Sequence, residues 1–321
     1  MSFTSWYKEH RILLRQRFRI SIHPVVILAI ALPVLFSLDG RETNAVPAKQ
    51  QSVLVGTQYD TTHVYVPADK LEAFTASFVA TFGGEATKPA IMNVLPVPSS
   101  TQFQAVRTPV GNLSIFAFQT PIPFPFGQER NGYLVTDMDR AVEAAKKAGA
   151  EVIVAPFQDP IGRDAVIQWP GGLKMQFYWH FKTPAPAPPL QTVPESRVYL
   201  SPDAASAFLL DLVKFDSPKQ ITDEPSADAG EIGRPGETYR RIRLIDSGFG
   251  KMTIFVTDGH LPYPFGYDTT GYQVADLNDT LAKAKAAGAI VLSPAYDAGD
   301  RSTAIVQFPG GYIAEIHRLK H

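Results

Sequence analysis

Residues Gly111–Asp137, GNLSIFAFQTPIPFPFGQERNGYLVTD, return as Gly250–Asp276, GKMTIFVTDGHLPYPFGYDTTGYQVAD, so the chain contains its own alignment. Gly127 and Gly266 lie 139 positions apart, and the same offset links Gly132 to Gly271, Gly149 to Gly288, Pro170 to Pro309 and Gln176 to Glu315. A repeat of this length exceeds the period of a solenoid, about 20–50 residues, and describes two similar domains. Positions that agree report the shared scaffold, so a working site is sought where the copies differ.

The domains are bounded by composition. Pro recurs at 184, 186, 188, 189 and 194, a spacing that favours extended backbone and marks a linker over 184–195. It separates 58–183 from 196–321, and a polar, small-residue stretch over 40–57 serves as a second linker. With 321 residues, 45% hydrophobic and 19% charged, the chain can bury two cores.

Residues 1–39 read differently. A basic stretch ending at Arg19 precedes Ile20–Leu38, which holds no Asp, Glu, Lys or Arg. The pattern predicts a signal peptide cut after a small residue such as Ala45 or Ala48, or an uncleaved membrane anchor. Either form places the remainder across a membrane, on the periplasmic side of a bacterial inner membrane. The formal net charge is −1, and residues 1–48 carry six basic against three acidic side chains, leaving about −4 for the rest. That balance excludes a nucleic-acid partner, which needs a basic face. The absence of cysteine excludes disulfides, thiolate nucleophiles and Cys-ligated metal.

Within each half the elements recur. THVYVPADKLEAFTASFVATFGG and SRVYLSPDAASAFLLDLVKF each give a strand and then a helix, with Asp69 and Asp203 near the helix starts. GYLVTD and GYQVAD are strands whose last residues, Asp137 and Asp276, cap helices that stop at Gly149 and Gly288. Three strand-like runs follow in each copy, with WPGG or FPGG turning between the last two. The unit is βαβββ, and the fold class is α+β with two such units per half.

VADLNDTLAKAKAAGAIVLSPAYD followed by RSTAIVQFPGGYIAEIHRL, with its counterpart in the first half, resembles the vicinal oxygen chelate superfamily. That superfamily contains glyoxalases, bleomycin-resistance proteins and extradiol dioxygenases. The resemblance implies paired βαβββ units whose sheets enclose a cavity in each half. It also implies a divalent metal, such as Mn, Fe, Ni or Zn, held by the first and last strands, where it stabilises a developing oxyanion.

On those strands the copies disagree. Glu315 matches the last-strand carboxylate ligand and is the candidate metal ligand and catalytic residue, with His317 on the same strand face. Its counterpart Gln176 brings no charge. His63 on the first strand has as its counterpart in the second half Arg197, which cannot ligate a metal. Arg130 and Asn131, or Thr269 and Thr270, stand where the family carries a further His. A complete His/Glu set is therefore absent from matched positions. His63, Gln176, Arg197 and His260 are candidate ligand-binding residues, and a Glu315–Arg197 ion pair competes with the metal role. Arg163 and Arg301, read as equivalents, suit a structural ion pair or an anion contact.

The expectation is a protein that binds a small organic ligand, with metal-assisted lyase, isomerase or dioxygenase chemistry in the second cavity, the better candidate. The alternatives are a non-catalytic binding module and a scaffold.

Overall fold

The computed structural model describes residues 52–94, 96–182, 184–185 and 188–320. The hydrophobic N-terminal segment and the cleavage or anchoring expected of it lie outside the described residues. Among those residues, no helix is long and apolar enough to cross a membrane.

The first half runs β1 (Thr61–Tyr65), α1 (Leu71–Phe82), β2 (Glu85–Ala86), β3 (Ala90–Met92), β4 (Thr101–Thr108) and β5 (Gly111–Phe118). It continues through β6 (Asn131–Leu134), α2 (Met138–Ala148), β7 (Glu151–Gln158), β8 (Gly162–Gln168) and β9 (Lys174–His180). The second half repeats the order with β10 (Glu195–Leu200), α3 (Pro202–Asp216), β11 (Gln220–Asp228), β12 (Thr238–Ser247) and β13 (Gly250–Val256). Its second unit is β14 (Thr269–Gln273), α4 (Leu277–Ala286), β15 (Ile290–Asp297), β16 (Arg301–Gln307) and β17 (Ile313–Leu319). Each half forms one mixed sheet, ordered β2-β4-β5-β1-β6-β9-β8-β7, with β3 also on β4, and β11-β12-β13-β10-β14-β17-β16-β15. This is the α+β, βαβββ architecture the sequence predicts.

Helix starts follow local chemistry. Asp137 and Asp276 accept from the backbone N–H three residues on, in Arg140 and Asp279, and so satisfy a free donor at each N-terminus. The cap of α3 is Ser201, which accepts from the N–H of Ala204, while Asp203 sits one turn position inside the helix. Asp69 caps nothing and pairs with the exposed Lys70.

Each helix buries its apolar stripe against the other half. Helix α2 packs on α3, and Ala141, Ala145, Trp169 and Phe177 share a core with Phe208, Leu212, Ile242 and Ile254. Helix α1 packs on α4, and Phe74, Phe78 and Ile115 share the other core with Leu281, Phe308 and Ile316. Both main cores thus draw one unit from each half. Burying side chains of this size contributes about 1.5–3 kcal/mol apiece, so each half takes much of its stability from its twin. Gln50–His321 accordingly form one compact unit.

The outward sheet faces and helices fill these cores. The inward face of each sheet lies apart from these cores.

Candidate functional site

The inner face of each half is organised around a seam where β1 meets β6 or β10 meets β14, antiparallel over two or three residue pairs. A Cβ on Gly132 would lie 2.6 Å from His63 Nε2, and one on Gly271 would lie 2.6 Å from Glu315 Oε2. Glycine recurs at both positions because the inner side chains lie directly over the seam.

In the first half these inner side chains line a cavity of about 690 Å³, a volume suited to a small organic molecule. Ile91 and Ile161 stand at its lining with more than half of their surface exposed, 60% and 54%. Phe103, Phe116, Tyr65 and Phe118 form one wall, with successive ring centroids 5.5, 5.2 and 6.2 Å apart. His63 Nδ1 lies 3.3 Å from Glu129 Oε1, and the Tyr65 hydroxyl donates to the same carboxylate oxygen. Burial and the adjoining Glu129 carboxylate push the Tyr65 hydroxyl well above its ordinary range, so it stays a donor. On the other wall Asp164 lies beside Gln176 and Tyr178. Burial first, then Asp159, pushes its carboxyl up to about 7, against the hydrogen bond from Gln176. His63 and Gln176 both line this cavity.

The second half replaces this space with charge. Strand register pairs His63 with Ser114 and Arg197 with Thr253, so Arg197 stands at the His63 position. Likewise Phe103 opposes Phe116 as Arg241 opposes Phe255, and Asp164 opposes Tyr178 as Thr303 opposes His317. Three glutamates (Glu195, Glu231, Glu315) and three arginines (Arg197, Arg241, Arg301) are all buried here, none more than 7% exposed. Arg301 reaches both oxygens of Glu195 at 3.0 and 3.1 Å, and Arg197 lies 3.2 Å from Glu195 and 3.5 Å from Glu315. The Arg197 guanidinium also sits 4.6 Å above the Phe255 ring. Arg241 donates to Glu224 and Glu231, and Tyr239 donates to Glu231. Burial disfavours ionised Glu195, but Arg301, His317 and Arg197 outweigh it and hold the carboxyl well below its usual range. Glu315 is lowered in the same way by Arg197 and His317.

Of the residues read from sequence, Glu315, His317 and Arg197 converge. His317 Nδ1 is 2.8 Å from Glu315 Oε2, and Thr303 donates to Oε1 of the same carboxylate. His260 does not join them: its side chain is exposed on the loop before β14, and its carbonyl accepts from Arg234. Arg163 and Arg301 are not equivalents. Arg163 pairs with Asp139 at the surface, whereas Arg301 occupies the inward position held by Gly162. In the doubled PFPFG and PYPFG segments Phe126 lines the first cavity, while Phe124 and Tyr263 are exposed.

These donor sets do not fit a divalent metal. The Glu315 carboxylate faces the Arg197 guanidinium, and both of its oxygens are engaged by Thr303 and His317, so a fixed cation already stands where the implied metal would. In the first half the matched position is the neutral Gln176, and His63 is tied to Glu129. No group of three His, Asp or Glu side chains is placed to hold a metal among the described residues. The preference for the second cavity is thus reversed: its candidate ligand is consumed by an ion-pair network, and the first half carries the open site.

Sequence reasoning missed Glu129, Asp164, Tyr178 and the Phe103–Phe116 wall. Glu129 aligns with Asp268, a like residue, and so read as scaffold. Phe103 lies on β4, where the copies diverge and their register was not legible.

No protein-family model matches the sequence, and no curated protein matches it. Among solved structures, a triple mutant of 4-hydroxymandelate synthase from Streptomyces coelicolor matches with TM-score 0.55 at 13% identity, covering 81% of this chain and 92% of that one. A xylose isomerase-like TIM barrel/4-hydroxyphenylpyruvate dioxygenase fusion protein matches with TM-score 0.50 at 13% identity, covering 84% of this chain and 49% of the fusion. The chain has the vicinal oxygen chelate fold in its tandem, two-domain form. At these identities the likeness is one of fold.

Proposed function

We propose that the protein is a small-molecule-binding module whose first half holds the ligand and whose second half is a scaffold. The observation that carries this reading is the contrast between the cavity of about 690 Å³ in the first half and the buried charge network at the matched positions of the second. A cavity with apolar walls and a few convergent polar groups is the usual form of a ligand site. A set of buried, interlocked ion pairs instead fixes a structure, since removing one partner strands a buried charge. Metal-assisted lyase, isomerase or dioxygenase chemistry finds no matching donor set in either half. Export, or tethering through residues 1–39, belongs to the same proposal and is supported by the charge and apolar pattern of that segment.

Two measurements test it. Protein purified without chelator and then reconstituted with Mn, Fe, Ni or Zn is expected to hold no stoichiometric metal. A ligand screen read by thermal shift is expected to give hits abolished by Ser114→Trp, which fills the first cavity, and unaffected by Thr253→Val in the second half. Stoichiometric metal lost in Glu315→Gln would restore the enzyme reading.

A further inference from the structure

The two walls of the first cavity differ in a way that specifies the charge of its ligand. Resting on the reading of this half as a binding site, we propose that the ligand is an organic cation with a flat aromatic body. Its ring would lie on the Phe103–Phe116–Tyr65–Phe118 wall and its protonated amine would face Asp164.

The aromatic wall is continuous across three strands, β4, β5 and β1, and the Tyr65–Phe116 and Tyr65–Phe118 pairs are stacked with interplanar angles of 19° and 17°. Such a surface accepts a planar ring, and its electron-rich faces attract positive charge. Tyr65 is held in place through Glu129, so the wall is set before a ligand arrives and little ordering cost remains.

The facing wall supplies the counter-charge. Asp164 on β8 and Asp159 at the β7–β8 turn both line the cavity. Asp159 is fixed by accepting from the backbone N–H groups of Ile161 and Gly162. Asp164 has no cationic partner among the described residues. Its neighbours are Gln176, Tyr178, Asp159 and His180, and burial lowers the pKa of the last, which keeps the ring neutral at pH 7. Among the described residues Arg107 is the only lysine or arginine lining the space, and it is exposed. A buried carboxylate that is costly to ionise alone is stabilised by an incoming ammonium, whereas an anionic ligand meets two acids and a neutral one leaves the Asp164 charge uncompensated.

Calorimetric titration of the full-length chain at pH 8 with three probes of one shape tests this: 2-naphthylmethylammonium, 2-naphthylmethanol and 2-naphthoate. The ammonium is expected to bind about tenfold tighter than the alcohol, with naphthoate weakest. Asp164→Asn is expected to erase the ammonium's advantage and to leave the alcohol within about twofold. Tighter binding of the alcohol or naphthoate, or an ammonium affinity unchanged in Asp164→Asn, overturns the charge assignment while the cavity reading stands. No binding of any probe overturns both.

Discussion

At four matched positions of the inner faces the first half carries Thr61, His63, Gln176 and Phe103, and the second carries Glu195, Arg197, Glu315 and Arg241. The backbone is the same; the chemistry is inverted. In the first half the neutral and aromatic side chains leave a space bounded by surfaces that water or a ligand can wet. In the second, long charged side chains span the space and pair with one another. A duplicated fold can thus keep one lobe for binding and convert the other into a cross-braced support. The shared cores make that division possible, because a lobe that holds α1 or α2 in place stabilises its twin's sheet as well.

The largest test of this comparison removes one lobe. Residues 52–183 or 188–321 expressed alone are expected to lack cooperative thermal unfolding and near-ultraviolet circular dichroism, because each would expose half of both main cores. Co-expression of the two pieces is expected to restore a single transition. A cooperative transition in either piece alone would show that the halves are independent domains and that the second is not a support for the first.

Next in size is the contrast between Glu315→Ala and Gln176→Ala. Removing Glu315 leaves Arg197 buried without one of its partners, and breaking such a pair costs about 3–5 kcal/mol. Gln176 lines a cavity, so its removal is expected to cost about 1 kcal/mol or less. Chemical denaturation of both variants measures the difference directly. The acid limb sharpens it. Glu195 and Glu315 have folded pKa values below their unfolded ones, so their stabilisation is complete above the unfolded value and is lost as pH falls through the folded value. The wild type is therefore expected to lose stability steeply below about pH 4.5, the ordinary range of a glutamate. Glu195→Gln and Glu315→Gln are each expected to flatten that slope, and an unchanged slope would place the acid-sensitive groups elsewhere.

The duplication made much of the fold legible. Asp137 and Asp276, the glycines at 149 and 288, and the strand order of the second units all follow from local rules that two copies obey together. The Glu315–Arg197 pair and the Glu315–His317 face were also readable, from strand periodicity and from the loss of a ligand at a matched position. What was not readable depends on register in the first units. There the sequences diverge, and Phe103 cannot be matched to Arg241 without the ladder to β5 or β13. The equivalence of Arg163 and Arg301 failed in the second units, where the two lie 138 and not 139 positions apart, and a slip of one residue moves a strand side chain to the opposite face. His260 shows a different limit: its loop follows no periodic rule, and only packing settles its exposure.

A smaller effect is expected at Asp164. Its folded pKa, about 7, lies above the ordinary aspartate value, so the folded state binds the extra proton and loses stability as pH rises through that value. Asp164→Asn removes this penalty. The variant is expected to melt about 2–4 °C above wild type at pH 8, a gain of about 1 kcal/mol, and the difference is expected to shrink as pH falls and to vanish near pH 4, the ordinary aspartate value. In the wild type the affinity for 2-naphthylmethylammonium is expected to rise over the same range, as Asp164 becomes ionised. Equal melting shifts at both pH values would show that the asparagine acts through packing and not through charge.

The smallest expected effect concerns one hydroxyl at matched positions. Thr253 and Ser114 are equivalents, opposite Arg197 and His63 in their ladders. Thr253 Oγ1 is buried with no hydrogen-bond partner among the described residues, whereas Ser114 lines the open cavity. An unsatisfied buried hydroxyl carries a desolvation cost that an isosteric methyl group does not, so Thr253→Val is expected to be neutral or stabilising by up to about 1 kcal/mol. Ser114→Ala gains nothing of that kind, because its hydroxyl faces an open cavity and is not sealed in the core, and its stability is expected to stay within about 0.5 kcal/mol of wild type. The sign of the difference is the informative part. If Thr253→Val destabilises the protein by more than about 1 kcal/mol, the hydroxyl has a partner such as a buried water, the second lobe is not closed by its own side chains, and the contrast between an open and a filled inner face has to be redrawn.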